Sequence, residues 1–174
     1  MLLRVGDNWK CFLGVFAYDV QHYLEFLICK EKLLSLEEFN KKLQNIKLST
    51  RDAKNRPKKF KKGPKKYEGN AGSLRVLSRI LTMILAPVLE LSSTEKFLIK
   101  LHEVGEIITA PMLTKFEIEV TMTQILTDYL DLRVEAVDTL SMPNPRPKHH
   151  FIGHYARSYM NTGPLINVWG SIQI

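Results

Sequence analysis

His150 and His154 are the two residues in this chain whose spacing comes nearest to a metal site. On a helix, positions four apart share a face, so both imidazoles can point at one ion. A zinc centre needs more than a pair. The intervening residues are Phe151, Ile152 and Gly153, with no adjacent Glu to act as a base, no Cys nearby and no third carboxylate close in sequence. The pattern predicts capping or buried hydrogen-bonding histidines, with no metal and no cofactor. Asp128, Asp131, Glu135 and Asp138 also fall at spacings of three and four along one helical segment. Nothing else marks a cleft around them, so they read as solvated helix charge. The chain holds no glycine-rich phosphate loop and no Ser-His-Asp or Cys-His signature.

The second group with chemical potential is basic. Residues 48–73 hold nine Lys or Arg and two acids, a surplus of seven that equals the net charge of the whole 174-residue chain, +7. Arg56, Lys58, Lys59, Lys61, Lys62, Lys65 and Lys66 can attract phosphates, and Phe60 and Tyr67 can stack on unpaired bases. DNA or RNA is therefore the candidate partner. The same string can be read by nuclear import machinery, which gives an intracellular, nuclear expectation, or it can be a solvated loop. Pro57, Gly63, Pro64, Gly69 and Gly72 interrupt it, so it is expected to be exposed and mobile.

The elements that position these groups are helical. From Cys11 to Lys30, Phe12, Val15, Phe16, Val20, Tyr23, Leu24 and Leu27 recur at threes and fours, which predicts an amphipathic helix. Ser35 stands three residues before Glu38, a capping box that opens a second helix to about Ile46. Leu74 to Leu85 forms a third stripe that Pro87 should kink or end. Ser92 to Glu95 reads as another capping box, opening a helix that stops before Pro111, and a long helix is expected from Thr114 to about Ala136. Pro143, Pro145 and Pro147 then enforce a crossing loop over Leu140 to Lys148. The expected organisation is an N-terminal helical segment (1–47), the basic loop (48–73), a helical core (74–140), and a Pro-rich crossing with a His/Trp C-terminal motif (141–174).

Composition excludes other classes. Two cysteines, Cys11 and Cys29, do not make a disulfide scaffold and point to a reducing compartment. The N-terminus lacks a secretory signal pattern, and the most apolar stretch, Ile80 to Leu91, is about a dozen residues where a membrane span needs roughly 20. No membrane partner is expected.

Pro147-Lys148-His149-His150-Phe151, then His154-Tyr155, Gly163-Pro164-Leu165 and Trp169, resembles the C-terminal signature of transposon-derived proteins of the CACTA and Plavaka transposase type. Gly14-Val15, Tyr18-Asp19, Leu34 to Asn40 and Asn55-Arg56-Pro57 extend the likeness upstream. The resemblance implies a mainly α fold, a helical domain or insertion of a ribonuclease-H-like transposase with a short C-terminal extended segment. It also implies an ancestral acidic triad holding two divalent metals. The family places an Asp and a His-Asp pair before its Glu-Gly-Val; here that stretch reads Asp7-Asn8-Trp9-Lys10-Cys11-Phe12-Leu13-Gly14-Val15, leaving Asp7 alone. Ile174 stands where the family has a Glu after the Trp. The expectation is therefore a truncated, non-catalytic remnant with no catalytic residues and residual nucleic-acid binding. The alternatives are a helical protein-interaction module and, disfavoured, an active metal-dependent nuclease.

Overall fold

The computed structural model describes residues 5–61, 67, 69–89, 95–110 and 112–162, of which 5–13, 71, 89, 109 and 162 are described by backbone alone. Eight α-helices account for most of this: α1 (Val5–Glu25), α2 (Leu36–Asn45), α3 (Thr50–Ala53), α4 (Ala71–Leu89), α5 (Glu95–Thr109), α6 (Thr123–Thr139), α7 (Pro147–Ile152) and α8 (Tyr155–Thr162). No strand occurs among the described residues. The fold is mainly α.

Five helices close a ring. α1 packs on α4, α4 on α5, α5 on α6, α6 on α7, and α7 returns to α1. One hydrophobic cluster fills it, with Phe16 and Tyr23 from α1, Leu77, Leu81 and Leu85 from α4, Leu101 and Val104 from α5, and Leu126 and Tyr129 from α6. Phe97 links Tyr23 and Tyr129 across the centre, at ring-centroid distances of 5.9 and 6.2 Å. The segment 1–47 and the segment 74–140 thus share one core. Each large side chain buried there stabilises the fold by about 1.5–3 kcal/mol.

Capping explains several helix starts. Ser35 Oγ accepts from the Glu38 amide (3.1 Å) while the Glu38 carboxylate accepts from the Ser35 amide (2.7 Å). Hydrogen bonding to the Ser35 amide, and then to its side chain, holds the Glu38 carboxyl below the usual carboxylate range. Thr114 and Glu117 make the same reciprocal pair and lower the Glu117 carboxyl likewise. Of the box expected at Ser92 to Glu95, Ser92, Ser93 and Thr94 lie outside the described residues.

Three expectations need correction. The single helix expected to Lys30 becomes a π-helix over Phe26–Lys30, and the one expected from Thr114 contains a π-helix at Glu117–Met122 before α6. Of the kink or end expected at Pro87, the end does not fall there: Pro87 lies inside α4, which continues to Leu89. Met83, four residues before it, is 66 % exposed and Pro87 is exposed, so the hydrogen bond that proline cannot make is lost on the solvent side. Finally, Pro147 starts α7 instead of belonging to the crossing loop, because a first helical residue has no need of its amide.

Two helix ends reverse through left-handed residues without being glycine. Lys32 has φ 54° and Ser141 φ 51°. In each case the next amide donates back six residues, Leu33 to the Leu27 carbonyl and Met142 to that of Ala136, both at 3.1 Å. Each bond spans one residue more than a Schellman closure, and the left-handed residue stands where such closures usually place glycine.

Candidate nucleic-acid interface

The basic segment is built differently from the loop its composition predicts. Arg56 is not displayed: its Nη1 donates to the carbonyls of Gln44 (2.8 Å), Ile46 (3.1 Å) and Leu43 (3.5 Å), capping the C-terminus of α2. Asn40 grips the backbone of Phe60 twice, accepting from its amide at 2.8 Å and donating to its carbonyl at 3.0 Å. Gln44 donates to the Pro57 carbonyl at 3.0 Å. Residues 56–61 are therefore a strap fastened along α2.

Phe60 and Tyr67 correct the sequence expectation most directly. They are 4 % and 5 % exposed, stacked on each other at 4.4 Å, with Phe39 edge-on to Phe60 at 5.4 Å. The Tyr67 hydroxyl accepts from the Lys58 amide (2.8 Å), and burial pushes its pKa up. Neither ring can stack on a base, because each already fills a core site. Lys58, Lys59 and Lys61 are exposed along the strap. Lys62, Lys65 and Lys66 lie outside the described residues.

Beside the strap, a polar cleft of about 710 Å³ opens between α3 and α4. Arg51, Lys54, Arg75 and Arg79 line it, against Asp52 and Glu106 as the acids. Asp52 is committed: its carboxylate accepts from Ser49 Oγ at 3.1 Å and from Arg79 Nη1 at 3.3 Å. Arg51, Lys54 and Arg79 are exposed and Arg75 is half-buried. Gly72 permits the close approach of its walls, since a Cβ there would fall 2.5 Å from Asn55 Oδ1. The two arginines of α4 lie four residues apart on one helical face, and the α3 cations meet them from the opposite wall.

A second constellation resembles a catalytic site in composition but not in access. The Asp19 carboxylate, 0 % exposed, accepts from Arg133 Nε (2.9 Å), His149 Nε2 (3.0 Å) and the Tyr129 hydroxyl. His149 Nδ1 accepts from the Arg146 amide (2.9 Å), which places the ring proton on Nε2, facing Asp19. Arg133 Nη2 donates to the Pro143 carbonyl at 2.7 Å, while Nη1 has no partner among the described residues. Burial and the neighbouring Asp19 charge raise the Tyr129 phenol well above its ordinary value. With three donors on a sealed carboxylate, this cluster bolts α1, α6 and α7 together.

The C-terminal motif separates by side. Pro147 opens α7; His149 and Tyr155 are buried; Lys148, His150, Phe151 and His154 face outward. Gly163, Pro164, Leu165 and Trp169, with the expected extended segment, lie outside the described residues, as does the Asp7 side chain. Asp128 is held below the usual carboxylate range by Gln124 (2.6 Å) and by Lys100 (3.2 Å), consistent with solvated helix charge. No helix is long and apolar enough to cross a membrane among the described residues.

Sequence reasoning missed Arg75 and Arg79 because the charge count stopped at Ser73. It missed Arg133 and Tyr129 because their partner is more than 100 residues away. With this geometry in hand, no protein-family model, curated protein sequence or solved structure matches the chain.

Proposed function

We propose that the protein is a non-catalytic helical module that binds nucleic acid, a remnant of a ribonuclease-H-like transposase, and that its contact surface is the cleft between α3 and α4. The observation that carries this reading is the convergence of Arg51, Lys54, Arg75 and Arg79 on one open polar cleft. Guanidinium groups recognise phosphate oxygens in pairs, and a concave wall concentrates their field. Lys58 and Lys59 continue the positive charge along the strap. Nuclear location belongs to the same proposal, since the basic string suits import machinery. The transposase origin is supported by the Pro147-to-Trp169 motif, and the loss of catalysis by the family carboxylates missing around Asp7 and at Ile174.

The test is fluorescence anisotropy with labelled single-stranded and duplex DNA across a salt series. If four cations each neutralise a phosphate, log K should fall with log salt at a slope of about −3.6 for duplex, or about 150-fold between roughly 50 and 200 mM. Arg51→Gln with Arg75→Gln should halve that slope. A slope unchanged by these substitutions, or no binding at low salt, refutes the reading and leaves a helical protein-interaction module. Magnesium- or manganese-dependent DNA cleavage that Asp7→Ala abolishes would overturn the non-catalytic part.

A further inference from the structure

His150 and His154 have no third ligand in sequence, yet the structure brings their ring nitrogens to within hydrogen-bond distance of each other. Both are exposed, and their Nε2 atoms stand 3.2 Å apart with ring planes at 84°. A metal ion about 2.0–2.1 Å from two imidazole nitrogens separates them by about 3.3–3.4 Å at a tetrahedral angle and about 2.9 Å at a right angle. The observed gap falls between these values.

The backbone holds the pair in place. His149, one residue before, is drawn inward by Asp19 and by the Arg146 amide, so its neighbour His150 turns to solvent. Gly153 lets the chain turn tightly between α7 and α8: a Cβ there would lie 3.3 Å from both the His150 carbonyl and Leu130 Cδ1. The Gly153 amide donates to the His150 carbonyl and the His154 amide to that of Phe151, each at 3.1 Å. His154 is thereby returned over His150 across the helix junction.

We propose that His150 and His154 form a two-imidazole site for a late first-row divalent ion, with zinc and copper(II) as the metals it takes. Imidazole suits these ions, whereas magnesium and calcium prefer oxygen donors. No group of three or more His, Cys, Asp or Glu able to hold an ion occurs among the described residues, so the remaining coordination positions open to water. The ion clips α7 to α8.

Titration of the full chain with zinc sulfate, followed by calorimetry and by the ¹⁵N resonances of the histidine rings, tests this. One ion per chain should bind, with the Nε2 resonances of His150 and His154 moving while those of His22 and His102 stay. His150→Gln or His154→Gln should each weaken binding at least tenfold, and His102→Gln should leave it unchanged. Both site histidines are exposed, so the variants should keep the wild-type circular dichroism and melting temperature without metal. Equal affinity in wild type and the double variant, or unmoved Nε2 resonances at saturating zinc, overturns the proposal and leaves a single N–H···N hydrogen bond between the rings.

Discussion

Asp19→Ala is expected to destabilise the protein by about 3–5 kcal/mol, because it leaves a buried cation without its counter-charge. The Arg133 side chain is 0 % exposed; after the substitution its Nε joins Nη1 in having no acceptor, and only the bond from Nη2 to Pro143 remains. The His149 Nε2–H and the Tyr129 hydroxyl lose the same acceptor, and each orphaned donor costs about 1–3 kcal/mol. These costs do not simply add, since the Pro143 segment can relax and admit water. Against a total stability of about 5–15 kcal/mol, the loss is a large fraction. Urea unfolding followed by circular dichroism reads it as a lower midpoint at unchanged slope. The companion variant Asp19→Leu with Arg133→Met removes both charges and should be less destabilised than Asp19→Ala alone. A loss below about 1 kcal/mol for Asp19→Ala, or a double variant no better than the single one, refutes the bolt argument.

Relieving the left-handed residues should stabilise: Lys32→Gly and Ser141→Gly are each expected to gain about 0.5–1 kcal/mol, seen as a higher urea midpoint, with a lower midpoint as the contrary result. Tyr129 retains its proton above the pH at which the unfolded phenol, near 10, releases it, so its contribution is complete below about pH 10 and is lost as pH rises through the raised folded value. Tyr129→Phe should flatten that alkaline decline in unfolding midpoints, and an unaltered decline counts against it. Phe60→Ala should cost about 3–5 kcal/mol in the same unfolding assay, whereas Lys58→Gln and Lys59→Gln should stay within about 0.5 kcal/mol. Equal effects would mean that the strap is not packed.

Local signals carried much of the fold into legibility. The stripe around Val15, Phe16, Val20 and Tyr23 and the Ser35–Glu38 box depend on residues within a turn or two, and the helices follow them. The π-helices have no such signature, since a widened turn is set by packing. The surrounding lysines obscure Phe60 and Tyr67; the strap is fastened by Asn40, 20 residues away from Phe60, whose side-chain amide gives no pattern. Asp19 did leave a trace. It shares a helical face with Val15, Phe16 and Tyr23, and a carboxylate on such a face requires a partner. The sequence alone does not say which one, because Arg133 and His149 arrive from another part of the chain.

That distance has a consequence for how the protein is made. Asp19 waits for Tyr129, Arg133 and His149, which follow it by 110, 114 and 130 residues. At a synthesis rate of about 5–20 residues per second, roughly 7–26 s pass between the appearance of Asp19 and that of His149. Throughout this interval α1 carries an unpaired charge in the middle of its apolar face, which disfavours early collapse of that face onto α4. The ring can close only when α7 arrives to dock against α1.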